Sequence, residues 1–110
     1  MPTAYKILGQ AAPANTSNAD LYTVPSSTQT VVSTIAIANT AASSALGRIF
    51  VVPSAGSAST ANAIVYDYSF EGNSTVTLTL GITLTTGDKI IVRSATANAL
   101  TFHAFGSEIS

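Results

Sequence analysis

The residues best suited to chemistry lie in one stretch, LTLGITLTTGDKIIVRSATANALTFHAFG, which contains the only histidine, His103, and two of the four basic residues, Lys89 and Arg93. A catalytic histidine needs a nucleophile within hydrogen-bonding distance and a group that orients its ring. Asp67 or Asp88 could orient it and serines are abundant, but no Gly-x-Ser-x-Gly motif marks a nucleophile. We therefore expect His103 to be a surface or interface residue and the protein not to be an enzyme.

The composition gives little support to a metal or cofactor site. One histidine and no cysteine do not form the usual zinc ligand sets. Asp67 and Glu71 are four residues apart on a strand, so they lie about 13 Å from each other at about 3.3 Å per residue and cannot share a calcium ion without a third segment. The sequence predicts no cofactor and no metal.

The low charge of the chain limits the partners that it can bind. Charged residues make up 8% of the sequence and the formal net charge is -1. Because no basic patch is present to neutralise phosphates, we expect no nucleic-acid binding. No apolar run approaches the roughly 20 residues that span a bilayer, and no secretory signal is evident, so we expect no membrane partner. A surface of Thr, Ser, Ala and Asn loses little hydration when another protein covers it, which predicts packing against neighbours.

The two basic residues of the His103 stretch, Lys89 and Arg93, lie at alternate positions of one predicted strand. Lys89, Ile91 and Arg93 alternate with apolar residues, which predicts that they lie on the outer face of a strand. Charges on an edge strand blunt unwanted strand pairing, and this is the role that we expect. A specific salt bridge between subunits is the alternative.

The tyrosines keep a carbohydrate-binding module open as an alternative, because sugars stack on aromatic faces. Tryptophan is absent, and Tyr5, Tyr22, Tyr66 and Tyr68 are the available platforms. Tyr66 and Tyr68 are predicted to share a face with Ile64 and Phe70, which is the pattern of core or interface aromatics. We therefore expect these side chains to pack against protein.

Alternation with period two dominates the chain and predicts β-strands. In NSTVTLTLGITL the apolar residues share one face, with Gly81 as a bend that splits the segment: Val76, Leu78, Leu80, Ile82 and Leu84. A second set is predicted to share one face of the next strand: Ile64, Tyr66, Tyr68 and Phe70. About eight short strands at intervals of about 8–14 residues predict an all-β protein, a single antiparallel β-sandwich of jelly-roll type that occupies 1–110 as one domain.

The connections between these strands fall into two groups. QAAPANTSN, ANTAASSALG and PSAGSASTANA are predicted to cross from one sheet to the other, whereas EGN and TTGD are compact turn signals. Residues 1–18 form an N-terminal strand or arm and its loop, and we expect Thr3 to Gln10 to reach a neighbouring subunit by strand addition. The predicted interface residues are Tyr5, Lys6, Ile7, Leu8, Lys89, Arg93, His103 and Phe105.

Several segments resemble a group of short virion proteins of tailed bacteriophages. The similarity lies in Lys6-Ile7-Leu8-Gly9-Gln10, in LYTVP with VVSTI and Asn39, in the turn from Leu84 to Asp88, and in the closing FHAFGSEI. It covers most of the chain and is least evident in 40–63. None of these motifs carries chemistry, so the resemblance identifies a lineage and no activity.

The resemblance implies a β-sandwich component of a virion. Such small proteins serve as capsid decoration (cement) proteins or as parts of the tail and its fibres. On this basis we expect a homo-oligomer, with a trimer favoured, that binds the major capsid protein at the capsid surface after synthesis in the host cytoplasm. A tail, baseplate or fibre component, with a receptor or carbohydrate contact, is the alternative.

Overall fold

The computed structural model describes residues 2–110, which form nine strands and one 3-10 turn, Thr60–Asn62. The strands are β1 (Thr3–Ala11), β2 (Ala19–Thr23), β3 (Gln29–Asn39), β4 (Ala45–Val52), β5 (Ala63–Phe70), β6 (Ser74–Leu78), β7 (Ile82–Thr85), β8 (Lys89–Ser94) and β9 (Leu100–Ile109). No α-helix occurs within residues 2–110. The predicted all-β class is confirmed.

The strands form two antiparallel sheets that pack face to face. Sheet A has the order β1-β9-β3-β6, with β7 also paired to β3, and sheet B has the order β2-β8-β4-β5. If β6 and β7 count as two parts of one interrupted strand, both sheets have four strands, and every connection except the one from β4 to β5 crosses from one sheet to the other, in the jelly-roll manner. The expected sandwich is therefore present.

The core lies between the sheets and is built from the inward residues of each strand. Those with at most 1% exposure include Val32, Ile35, Ile37, Leu100, Phe102 and Ala104 from sheet A, and Ile49, Ile90 and Val92 from sheet B. Most are β-branched, which suits a pleated surface that is buried on one side. Successive residues of a strand point to opposite faces, so the residues between them form the outer faces of the sandwich.

The predicted bend at Gly81 is confirmed. Its φ of 64° lies in the left-handed region, which glycine adopts without steric cost. β6 pairs with one end of β3 and β7 with the other. Leu80, between them, is 54% exposed and does not join the apolar face assigned to it, because the chain leaves the sheet there.

The predicted face of β5 is wrong, because its alternation is broken. Three residues of β5 span the length of two residues of β4 between Val65 and Tyr68, and Asp67 has a left-handed φ of 54°. An extra residue in a strand exchanges its two faces. Val65, Tyr68 and Phe70 consequently line one apolar cleft, while Tyr66 contacts Phe50 on the outer face.

The connections are partly as predicted. QAAPANTSN and ANTAASSALG do cross between the sheets, but PSAGSASTANA joins the paired strands β4 and β5 of sheet B, and its 3-10 turn contacts β4. EGN and TTGD are tight turns, yet both join one sheet to the other. The stretch that holds His103 therefore places β7 and β9 in sheet A and β8 in sheet B.

The N-terminal segment is a folded strand and not a free arm. Thr3 to Ala11 pair with β9 of the same chain, and the opposite side of β1 is an edge of sheet A. Contact with a neighbouring subunit through this edge stays a prediction.

Two phenylalanines on β9 allow the assignment of its faces to be tested. Phe102 is fully buried, whereas Phe105 lies on the outer face and is partly exposed. We expect Phe102→Ala to lower the free energy of unfolding by about 3–5 kcal/mol because it leaves a cavity. Phe105→Ala, the matched control, should cost about 1 kcal/mol. Urea unfolding followed by circular dichroism measures both, and equal losses would contradict the assignment.

Candidate functional site

The outer face of sheet A carries no charged residue. The side chains that alternate with the core residues of β9, β3 and β6, together with their partners on β1, form what we call the uncharged face: Tyr5, Ile7, Gln10, Thr34, Ala36, Ala38, Thr75, Thr77, Thr101, His103 and Phe105. Four strands at about 4.8 Å spacing and ten residues at about 3.3 Å cover roughly 19 by 33 Å. This is the order of area that one partner contributes to a standard protein interface, about 800 Å².

His103 lies within the uncharged face and has no catalytic partner there. The side-chain amide nitrogen of Gln10 lies 3.1 Å from its Nδ1, within hydrogen-bonding distance. The ring stacks on Phe105, with centroids 6.2 Å apart and planes 4° from parallel. These contacts orient the ring on a partly exposed surface, and a contact of His103 with another subunit stays a prediction.

The two carboxylates considered as orienters of His103 are engaged elsewhere. Asp67 forms an ion pair with Arg48 on sheet B. Asp88 accepts hydrogen bonds from the backbone N–H groups of Ser54 and Thr85, both at 2.9 Å, and so closes the turn between β7 and β8. Within residues 2–110, no three His, Asp or Glu side chains cluster closely enough to hold a metal ion. None of these residues forms a helix long and apolar enough to cross a membrane.

The predicted interface residues of β1 are mostly at the surface. Tyr5 is 86% exposed and Ile7 is 54% exposed, the former opposite Ser107 and the latter opposite Phe105. Leu8 differs, because it lies at a β-bulge and packs against the core. Leu8 is therefore only partly exposed, and its predicted contact with a neighbouring subunit stays a prediction.

Lys6 belongs to a polar network that closes one end of the sandwich. Its ammonium group lies 2.9 Å from the Glu108 carboxylate, whose side chain is only 14% exposed. The Tyr22 hydroxyl donates to the same carboxylate at 2.5 Å and lies 2.8 Å from the Thr30 hydroxyl. The network joins β1, β3 and β9 of sheet A to β2 of sheet B.

The network shifts the acidity of two of its members. Hydrogen bonds from Tyr22 and Lys6 hold the pKa of Glu108 below its usual value, because they stabilise the carboxylate. Burial and the neighbouring carboxylate raise the pKa of Tyr22 to about 12. Both shifts favour an ionised Glu108 beside a neutral tyrosine.

The outer face of sheet B holds the other three basic residues, Arg48, Lys89 and Arg93. Arg48 makes two hydrogen bonds to Asp67, at 2.7 and 3.1 Å, and its guanidinium lies 4.1 Å from the centre of the Tyr66 ring. The ion pair lowers the pKa of Asp67. The two outer faces of the sandwich therefore differ in chemistry, one uncharged and one with mixed charges.

The role predicted for Lys89 and Arg93 is only half correct. They do lie on an outer face, but β8 pairs with strands on both sides, so it is not an edge that needs protection. Arg93 donates from Nε to the Thr16 carbonyl at 2.7 Å, which fastens the loop after β1. A salt bridge from Lys89 to another subunit stays a prediction.

The four tyrosines are divided between the two sheets. Tyr22 is buried, Tyr66 is 48% exposed with Arg48 over its ring, and Tyr68 is 55% exposed and packs edge-on against Phe70. Tyr5 alone presents its ring to solvent on the uncharged face.

Gly9, Gly87 and Gly106, which lie in the motifs that resemble tailed-phage virion proteins, have structural roles. A Cβ on Gly9 would lie 2.0 Å from the Leu21 carbonyl oxygen, and a Cβ on Gly106 would lie 2.0 Å from that of Val31. Gly87 has a φ of 87°, which a turn can require of glycine. These residues permit close backbone contacts and a tight turn, so they build the fold.

Comparison with known proteins identifies a shared fold. No protein-family model and no curated protein matches the chain. A chain in the structure of infectious bursal disease virus, Gx strain, superposes with a TM-score of 0.52 over 97% of this chain, at 12% sequence identity. The match covers 32% of that chain, so the present chain spans about a third of its length. At this identity the similarity establishes that the two share a β-sandwich fold.

Sequence reasoning missed the two side-chain networks. Glu108 lay in the closing FHAFGSEI segment, but its partners Lys6 and Tyr22, and the Thr30 hydroxyl beside Tyr22, are far from it in sequence. Arg48 and Asp67 are likewise on different strands. Only the low number of charges gave a signal, because a rare charge that is partly buried must be paired.

The Glu108 network predicts loss of stability in acid. A carboxyl whose pKa is lowered on folding stabilises the protein above its unfolded value, near 4.5, and this contribution disappears as the pH falls through the lower folded value. We expect Glu108→Gln to lower the free energy of unfolding by about 1–2 kcal/mol at pH 7. Below pH 4.5, the free energy of unfolding of Glu108→Gln should fall less steeply with decreasing pH than that of the unmodified chain.

Urea unfolding at a series of pH values measures this effect. Glu71→Gln is the matched control, because it removes an exposed carboxylate from the turn between β5 and β6. An acid profile of Glu108→Gln that equals that of the unmodified chain would contradict the role of the network.

Proposed function

We propose that this chain is a non-enzymatic structural protein of a bacteriophage virion, a capsid decoration (cement) protein that binds and stabilises the outer capsid as a homo-oligomer. The observation that carries the proposal is the uncharged face, a surface on which no charged side chain must lose its hydration when a partner covers it. The jelly-roll fold is common in capsid proteins, and the terminal motifs resemble those of tailed-phage virion proteins.

The contrast between the two outer faces supports an orientation on the particle. Covering an unpaired charge costs free energy, whereas covering Thr and Ala costs little. The uncharged face therefore meets protein, either the major capsid protein or another subunit, and the face with Arg48, Lys89 and Arg93 stays in water. No cofactor, nucleic acid or membrane takes part in this function.

Multivalency explains how so small a protein can hold a capsid. A trimer, the state that we favour, presents three copies of each contact, and linking contacts raises affinity by roughly 10²–10⁴ over one of them. Each contact can then be modest and uncharged. The protein is made in the host cytoplasm and occupies the capsid surface.

A charge placed on the uncharged face should weaken binding. Thr77 is exposed on β6 within this face, and Ser69 is exposed on β5 of sheet B. We expect Thr77→Glu to reduce capsid affinity by about 100-fold, since an unpaired charge buried at an interface costs about 3 kcal/mol. Ser69→Glu, the matched control, should bind like the unmodified protein. Sedimentation with capsids that lack the protein measures both, and equal binding of the two variants would refute the role of this face.

The number of copies per particle tests the location. A decoration protein is present in hundreds of copies, because it follows the capsid lattice, whereas a tail, baseplate or fibre component is present in a handful. Quantitative mass spectrometry of purified virions, with the major capsid protein as the internal standard, gives the ratio. A handful of copies would replace the proposed function with the tail alternative.

A further inference from the structure

Strand β1 consists of two halves that are held differently. A β-bulge between Ile7 and Gly9 interrupts its pairing with β9. After the bulge, Gly9 lies against the backbone of Leu21 and Ala11 packs against the core. Before it, every residue of Thr3–Ile7 is exposed. Backbone hydrogen bonds and one ion pair, and not burial, therefore hold the N-terminal half in place.

The loop that follows β1 defines where this strand can bend. Pro13 is buried and its carbonyl accepts a hydrogen bond from the Asn98 N–H at 3.0 Å, while the Thr16 carbonyl accepts one from Arg93. These contacts fasten the loop to its own subunit. Leu8, which is unpaired at the bulge, is the position where the N-terminal half can turn away from the anchored half.

We propose that Thr3–Ile7 exchanges between subunits and pairs with Phe105–Ile109 of a second copy of this chain. The inference rests on the proposed homo-oligomer and names its contact. Five extended residues reach about 17 Å, enough to cross to an adjoining subunit whose own edge is vacated by the same movement. Each pair seen within one chain forms again between two chains, so exchange loses no native contact.

Charge complementarity favours Thr3–Ile7 of another copy as the partner of the β9 edge, Phe105–Ile109. The Glu108 carboxylate accepts a hydrogen bond from the Tyr22 hydroxyl and forms an ion pair with the Lys6 ammonium group. A strand in a different register would leave Lys6 without its carboxylate and the partly buried Glu108 without its cation, which is costly. Exchange also brings the exposed Tyr5 and Ile7 to the subunit boundary, where a neighbour can bury them.

Disulfide cross-linking tests the exchange without background, because the chain has no cysteine. Tyr5 and Ser107 are directly opposite, and such pairs fall within disulfide reach. Tyr5→Cys protein is refolded together with a size-tagged Ser107→Cys protein, and the mixture is oxidised. The matched control is Gln10→Cys with tagged His103→Cys, since that pair lies in the anchored half.

Exchange predicts about tenfold more tagged-to-untagged cross-link for the first mixture than for the control. A chain that carries both Tyr5→Cys and Ser107→Cys should run as covalent oligomers on a non-reducing denaturing gel. Equal cross-linking in the two mixtures, a double variant that runs only as a monomer, or a protein that is monomeric in solution would each overturn the inference.

Capsid binding is measured separately on the unmodified protein, because Tyr5, Gln10 and His103 belong to the uncharged face. Cross-linking between chains without capsid binding would keep the exchange and reject the proposed function. If the protein binds capsids but its double variant cross-links only within one chain, the exchange is rejected and the proposed function is kept.

Discussion

The structure depends on the insertion of the C-terminal strand, β9, between β1 and β3. One side of β9 pairs with the first strand of the chain and the other side with residues 29–39. These partners are distant in sequence, so sheet A cannot close until nearly the whole chain is available, and folding that needs such contacts is slow. The same strand sends Phe102 into the core and Phe105 to the surface. Stability and contact surface are therefore produced by one element.

The small number of charged residues affects both the side-chain networks of the fold and the character of its two outer faces. Few ionised groups are present, and two of the carboxylates have defined partners: Glu108 has Lys6 and Tyr22, and Asp67 has Arg48. The first of these networks ties the two sheets together at one end. The remaining basic residues lie on sheet B, which leaves the outer face of sheet A to Thr, Ala and a few apolar side chains. The composition thus produces an asymmetric sandwich, one face suited to water and one suited to protein.

The sequence predicted features that depend on neighbouring residues and missed those that depend on distant ones. Alternation located the strands, the bend at Gly81 and the outward position of Lys89 and Arg93, because these follow from local periodicity. The face of β5 was wrong since one extra residue near Asp67 inverts it, and that residue is defined only by the register against β4. The prediction that Lys89 protects an edge strand was wrong for a similar reason, because the position of β8 in the sheet depends on strand order.

The site was predictable to the same extent. His103, Phe105, Tyr5 and Ile7 were expected at a surface, and they do share one, but the pairing that brings them together joins opposite ends of the chain. The motifs behind the phage resemblance build this junction: Gly9 and Gly106 admit close backbone contacts, and Glu108 fixes the register of β1. Backbone pairing and one ion pair hold the N-terminal half of β1, so in the proposed exchange it forms the same pairs with another copy. Under that proposal, the residues that close the monomer are also those that join subunits.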